Sequence, residues 1–502
     1  MKKNRYILTA ILSVGLLASC SKSFLDQQPT NQVPEDQVFT TADNVETVIN
    51  GTWAYAMETF FTYSVPGFTS ILRASDAMGD DVAVTTKYGL RDAYTFVEMV
   101  DNTKNRVSAY WTILYKVIDN ANSIIANVDK ATGDDAQKAR LKGQAYALRG
   151  WCYLTLASFY QFNPIVDPNA KAVPIYLTPT TPTTKGNPRA TIKQVYDQAI
   201  ADLLAAEPLV TGYNRGDASK KYKIDLNVVE GLLARAYLQT QQWTLAQQKA
   251  AAARNGYPLM AGADYLKGFS DVSNVEWIWG HPQTPNQSNA SYNFHFLDVS
   301  DPGSYYYSFM ADPFFKNYFD NGDVRTQLFD WDTLPSQEGY LRYKKFRFRD
   351  QTALIGDLVL MRTAEMVLIQ AEAYARSGDA GNAALKLNEL RSARGAYQYV
   401  QNTGSLIDTI MIERRKELWG EGFSLSDILR TNGTVVRKAF TSYTGGDSII
   451  QVPRADGTFK AVKAKGHRTL RFPDGTVFTP QSKYYLFAIP LSEVQNNPSL
   501  NN

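Results

Sequence analysis

Apolar residues recur at three- and four-residue steps along much of this chain, beginning with Val45, Val48, Ile49, Trp53 and Met57. That spacing lays one apolar stripe along a helix. The same period predicts helices over Tyr110–Asp129, Asp135–Phe159, Thr191–Glu207, Leu226–Thr240, Thr244–Asn255, Asp357–Ser377, Ala380–Arg394 and Ser405–Trp419. Between them, 60–105 and 256–356 mix Asp, Asn, Gly, Ser and aromatic residues with little periodicity. Short strands are predicted at Glu276–Gly280 and Tyr340–Phe348. In 434–483, Gly445-Gly446, Asp456-Gly457 and Asp474-Gly475 separate β-prone runs and predict hairpins.

Two of the helical stretches carry a repeat signature. Leu233, Ala234, Tyr237, Ala246, Ala253 and Pro258 stand at the offsets of a tetratricopeptide repeat, and Ala371, Tyr374, Ala383 and Leu387 stand at the same offsets further on. Small residues let two antiparallel helices approach, and large ones fill the groove between repeats. A third, split repeat pairs Gly143–Phe159 with Thr191–Glu207 across an insertion at 161–188. Because the repeats are few and interrupted, we read them as a packing scaffold and not as a peptide-binding face. The fold class expected is mostly α: a tetratricopeptide-like helical scaffold with long irregular loops and a few short β-hairpins.

The N-terminus reads differently. Lys2, Lys3 and Arg5 precede an apolar stretch, Tyr6 to Ala18, that is too short to span a membrane and suits a signal peptide. Leu17-Ala18-Ser19-Cys20 then resembles a lipobox, in which the Cys20 thiol takes the lipid. The organisation expected is a lipoprotein signal peptide at 1–19, a lipid-anchored tether at 20–39 and a single domain at 40–502.

Charge narrows the function classes. The chain has 52 Lys plus Arg against 49 Asp plus Glu, and the three excess positives are Lys2, Lys3 and Arg5. Without them the charge balances, which argues against nucleic acid as a partner. Contact with a membrane is expected through the lipid anchor only. The one other cysteine, Cys152, lies among apolar residues and reads as a core thiol.

Reactive constellations are sparse. Glu413, Glu417 and Glu421 are spaced i, i+4, i+8 with Arg414, Arg415 and Lys416 interleaved, the pattern of a salt-bridged helix more than of a catalytic pair. His281, His295 and His467 have no metal-ligand spacing. Asp76, Asp80 and Asp81, and Asp320 with Asp323, read as solvated loops. Such oxygen-rich loops are compatible with a structural calcium ion, but no cofactor is indicated.

Several ordered motifs resemble the SusD/RagB family of outer-membrane lipoproteins. They run from Phe24-Leu25-Asp26-Gln27-Gln28-Pro29, through Gln144–Leu154 with Phe159-Tyr160, to Arg362–Glu365 and Ala371–Tyr374. Leu387–Arg391, Glu413–Leu418, Glu421-Gly422, Asp427–Arg430, Tyr485–Pro490 and Asn497-Pro498 complete the series. Ser424 departs from the family, where an Arg is common. The resemblance implies a cell-surface lipoprotein in the outer membrane, without enzymatic activity. Such a protein binds nutrient, most often a glycan, and delivers it to a SusC-like TonB-dependent transporter. It also implies that the repeat helices face the transporter. A lipid-anchored glycoside hydrolase and a helical-repeat interaction scaffold are the alternatives.

Sugars present apolar C–H faces ringed by hydroxyls, so rings beside polar side chains suit them. Two loops offer that mixture, Asp80–Asp92 and Asn286–Tyr307. From them the ligand contacts expected are Asp81, Tyr88, Arg91, Asn289, Tyr292, Phe294, Tyr305, Tyr306 and Tyr307, with Tyr88, Tyr292 and Tyr306 foremost.

Overall fold

A computed structural model describes residues 38–85, 89–300, 304–401 and 404–501. The signal peptide, Cys20, most of the tether and Tyr88 lie outside the described residues.

Among the described residues, nine longer helices form the scaffold: α1 (Ala42–Glu58), α2 (Asn105–Asn127), α3 (Asp135–Tyr160), α4 (Ile192–Val210), α5 (Leu226–Gln239), α6 (Trp243–Ala253), α7 (Thr363–Arg376), α8 (Ala380–Ala393) and α9 (Leu406–Leu418). Several starts are capped by side chains. Thr41, Asp134, Asp225, Asp379 and Ser405 each accept a bond from a backbone N–H three residues on. Thr191 and Gln194 cap α4 reciprocally.

Neighbouring helices pack in chain order from α1 through α8, with α9 against α7. The expected repeats are these pairs: α5 with α6, α7 with α8, and the split pair α3 with α4. Their small residues explain the approach. A Cβ on Gly150 of α3 would stand 3.0 Å from the Ala199 carbonyl oxygen of α4, and one on Gly143 would stand 2.8 Å from Leu209 Cβ. Ala246, Ala250 and Ala253 are buried along α6, and Ala371, Ala383 and Leu387 bury between α7 and α8. Cys152 is a buried core thiol on α3, and burial pushes its acidity out of reach of neutral pH.

Strands are short. β1 (Phe60–Thr62) and β2 (Val65–Pro66) form a tight hairpin after α1. β3 (Val82–Val84), β5 (Phe309–Ala311), β7 (Leu341–Tyr343) and β6 (Phe329–Trp331) lie in that order in one sheet. β4 (Trp277–His281) pairs with β8 (Leu358–Arg362), and β9 (Ile449–Pro453) with β10 (Phe459–Lys463). The last pair is the hairpin expected around Asp456-Gly457.

The strand β8 corrects the expectation of one helix from Asp357 to Ser377. All five residues of β8 are buried. A short apolar run buried on every side reads the same in sequence whether it is a helix or a strand. Helix α7 starts only at Thr363.

The Glu413–Glu421 series is salt-bridged as expected, but to partners from distant parts of the chain and deep in the core. Arg325 pairs with Asp323, Glu413 and Glu417. Arg362 pairs with Glu276, Glu417 and Glu421, and Arg394 with Glu276 and Glu417. Lys345 meets Glu421, and Lys416 meets Glu413 and Asp323. Five carboxylates thus face five cations, all buried. The expectation of solvated Asp loops is corrected too. Asp76 is buried and accepts from the Gly422 N–H at 2.8 Å, and Asp323 is bound to Arg325.

Candidate functional site

The two loops singled out by composition leave the same strand pair. β3 and β5 run antiparallel with Val84 opposite Phe309, and the Thr85 N–H donates to the Ser308 carbonyl at 3.0 Å. The strand ends that carry the two loops are therefore neighbours although 225 positions separate Val84 from Phe309. Gly89 closes the junction. Its φ is +100°, and a Cβ there would stand 2.6 Å from the Phe296 ring and 3.3 Å from Ser64 Cβ.

The hairpin β1–β2 joins the same surface. Buried Arg106, on α2, pairs with Glu98 at 2.8 Å. Its guanidinium also donates to the Ser64 carbonyl at 2.6 Å and to the Gly89 carbonyl. One cation thereby ties the hairpin to the first loop.

A second tie holds the other loop. The Trp53 indole N–H donates to His281 Nδ1 at 3.0 Å, which leaves Nε2–H to donate to Glu58 at 2.6 Å. Glu58 ends α1. Its carboxylate accepts from Gln283 and from the Ala290 N–H at 3.2 Å, and its carbonyl accepts from Asn289 Nδ2 at 2.9 Å. Burial alone would raise the Glu58 pKa, but the bonds from His281, Gln283 and Ala290 outweigh it and hold the group below its ordinary value.

These ties assemble an aromatic platform. Tyr63 and Tyr305 are each 61% exposed. Half-buried Tyr292 has its ring centre 5.9 Å from Tyr63 at 34° and 4.9 Å from Phe60. Tyr306 lies 6.3 Å from Tyr63 and stacks on Phe296 at 4.7 Å. Tyr305 stacks on His295 at 4.4 Å, and Tyr292 meets the same imidazole edge-on at 5.0 Å. His295 is buried, which lowers its pKa to about 4 and leaves it a neutral spacer at pH 7. Its Nδ1 accepts from the Tyr305 N–H at 3.2 Å and fixes that ring's backbone.

The expected contacts divide on this geometry. Tyr292 and Tyr305 lie at the platform, exposed Asn289 is held at the Glu58 carbonyl beside it, and Tyr306, expected among the foremost contacts, is buried beneath it on Phe296. Arg91 is exposed on the short helix Arg91–Tyr94 beside the first loop. Phe294 is fully buried against Phe346 and Phe348. Tyr307 is buried too, with its hydroxyl accepting from Arg342 at 3.1 Å. Asp81 is buried and held by Arg415 at 2.6 and 2.8 Å. These three are packing residues in this fold and present nothing to a ligand. Tyr63, Phe60 and half-exposed Phe61 escaped the sequence reading. Their signal is the run Phe60-Phe61-Thr62-Tyr63 closed by Pro66, a β-prone aromatic hairpin.

Chemically, the platform offers ring faces for stacking, with the exposed Asn289 amide beside it for hydroxyls. Among the described residues, no group of His, Cys, Asp and Glu could hold a metal ion.

Comparison with known proteins places this geometry among relatives. The family model described as "Starch-binding associating with outer membrane" (SusD-like) matches residues 23–238, and the SusD family model matches 333–502. The crystal structure of a SusD-like carbohydrate binding protein from Bacteroides vulgatus is 44% identical. It superposes with a TM-score of 0.86, covering 92% of this chain and 97% of that one. SusD-like protein P38 of Formosa agariphila is 21% identical over 85% of this chain and 90% of its own length. SusD-like protein P2 of the same organism is 28% identical over a shorter stretch, 33% of this chain and 32% of that protein.

Proposed function

The chain belongs to the SusD family, and from that premise we propose that it is a cell-surface lipoprotein that binds a glycan on the Tyr63–Tyr292–Tyr305 platform. It delivers that glycan to a SusC-like TonB-dependent transporter in the outer membrane. The observation that carries the reading is the exposure of Tyr63 and Tyr305 on rigid supports, at 61% each. Rings held in this way stack on sugar faces with little loss of side-chain freedom. The carbohydrate-binding relative from Bacteroides vulgatus supports the ligand class.

We read the protein as a binder and not as a hydrolase. Glycoside hydrolysis needs two carboxyl groups across one sugar bond. The acidic series Glu413, Glu417 and Glu421 is committed to buried guanidinium and ammonium groups. Among the described residues no helix is long and apolar enough to cross a membrane. We assign membrane attachment to a lipid on Cys20, on the strength of the Leu17-Ala18-Ser19-Cys20 lipobox.

The test is a glycan array followed by isothermal titration of the best ligand. Wild type should bind, and the triple variant Tyr63→Ala/Tyr292→Ala/Tyr305→Ala should not. Unchanged affinity in the triple variant would move the site elsewhere. Mass spectrometry of membrane-bound protein should find Cys20 acylated, and the transporter should co-purify from gently solubilised outer membranes.

A further inference from the structure

A second aromatic groove lies away from the platform, where three distant segments meet. α2 supplies Trp111, Tyr115, Lys116 and Asp119, the insertion supplies Tyr176, and the C-terminal helix Leu491–Asn496 supplies Glu493. The cavity measures about 320 Å³. Ligand pockets span about 300–1,000 Å³, so this one suits a single small ring. The segments are fixed to one another. The Leu491 N–H donates to the Asn102 carbonyl at 2.9 Å, and Asn497 Nδ2 donates to the Asn187 carbonyl at 2.9 Å.

The walls are rings whose polar tips are already engaged. Trp111 and Tyr115 lie 4.4 Å apart, and Tyr176 meets Tyr115 edge-on at 6.0 Å. The Tyr115 hydroxyl donates to the Pro174 carbonyl at 2.7 Å, and the Tyr176 hydroxyl accepts from the Asn187 N–H at 3.0 Å. Among the described residues no lysine or arginine stands over these three rings.

The charges do not balance. Lys116 stands 3.9 Å from Asp119, so that pair cancels. Glu493 is half-buried, and among the described residues no basic side chain pairs with it. Its hydrogen-bonded neighbour is the Trp111 indole, and burial raises its pKa. A carboxylate without a counter-ion, set among aromatic rings, is the environment that attracts an organic cation.

We propose that this groove is a separate binding site for a protonated amino sugar, whose ammonium meets Glu493 and whose ring packs on Tyr176. The site is independent of the platform. The experiment therefore uses the Tyr63→Ala/Tyr292→Ala/Tyr305→Ala variant, in which the platform is disabled. Glucosamine and N-acetylglucosamine are titrated into it, followed by the Trp111 indole N–H resonance in ¹⁵N-labelled protein, assigned with Trp111→Phe. The two sugars share a ring, but only the first is charged. Glucosamine should bind at least about tenfold tighter and shift that resonance. In Glu493→Gln, which keeps an acceptor for the indole, the preference should disappear. Equal binding of both sugars, or glucosamine binding that leaves the Trp111 resonance unmoved, would overturn the proposal. Loss of glycan binding at the platform would leave this result unaffected.

Discussion

His281 Nε2 stands 2.6 Å from a carboxylate oxygen of Glu58, and this contact joins the end of α1 to the strand that feeds the second aromatic loop. Removing the acceptor strands the imidazole, Gln283 and the Ala290 N–H together. Glu58→Ala should lower stability by about 2–3 kcal/mol in urea denaturation, as for other buried charged hydrogen bonds that lose one partner. Glycan affinity should fall with it. The pKa of Glu58 is lowered on folding, so its stabilisation is full above the unfolded value and fades as pH falls through the folded one. The gap in melting temperature between wild type and Glu58→Gln should therefore narrow in acid, below about pH 4.5.

The platform tyrosines separate binding from stability. Tyr63→Ala and Tyr305→Ala remove exposed rings and should each weaken a glycan by about 0.5–1.5 kcal/mol, with melting temperature nearly unchanged. Phe294→Ala empties a packed site and should lower stability by about 3–5 kcal/mol. Titration and thermal melts on the three variants give both readouts.

Glu417 is bound by Arg325, Arg362 and Arg394 with no exposure to solvent. Glu417→Gln keeps the shape but leaves buried guanidinium groups short of one negative charge. It should destabilise by about 3–5 kcal/mol. A denaturation midpoint within error of wild type would refute that role.

Asp312 works in the opposite sense. Burial and the nearby charge of Asp81 raise its pKa to about 7, and its Oδ1 has no hydrogen-bond partner. A carboxyl with a raised folded pKa favours folding below its unfolded value and loses that advantage as pH rises through the folded one. Asp312→Asn, which cannot ionise, should gain about 1–4 kcal/mol over wild type at pH 8. At pH 4 the gain should vanish.

The helical scaffold was legible because its period and small-residue offsets are local. Ala246, Ala253, Ala371 and Ala383 pack as their spacing predicts. The two loops were legible as compositions, and β3–β5 pairing brings them together. Individual rings were not. Phe294 and Tyr307 sit in the same aromatic run as Tyr292 and Tyr305, and only tertiary packing decides which turn inward. Tyr63 was missed because its hairpin lies in a separate segment and meets the second loop through ring contacts with Tyr292 and Tyr306. The acidic series of α9 gave its salt bridges but not its partners, since Arg325, Arg362 and Arg394 carry no mark of where they fold.

That buried charge cluster also has an order in time. Arg325, Lys345, Arg362 and Arg394 are synthesised before Glu413, Glu417 and Glu421. Until the last of these carboxylates emerges, closing the C-terminal half would bury four cations against Glu276 and Asp323 alone, and each buried ion left uncompensated costs several kcal/mol. The charge cluster is thus expected to close only once α9 has docked. The final closure then comes as one late, cooperative event.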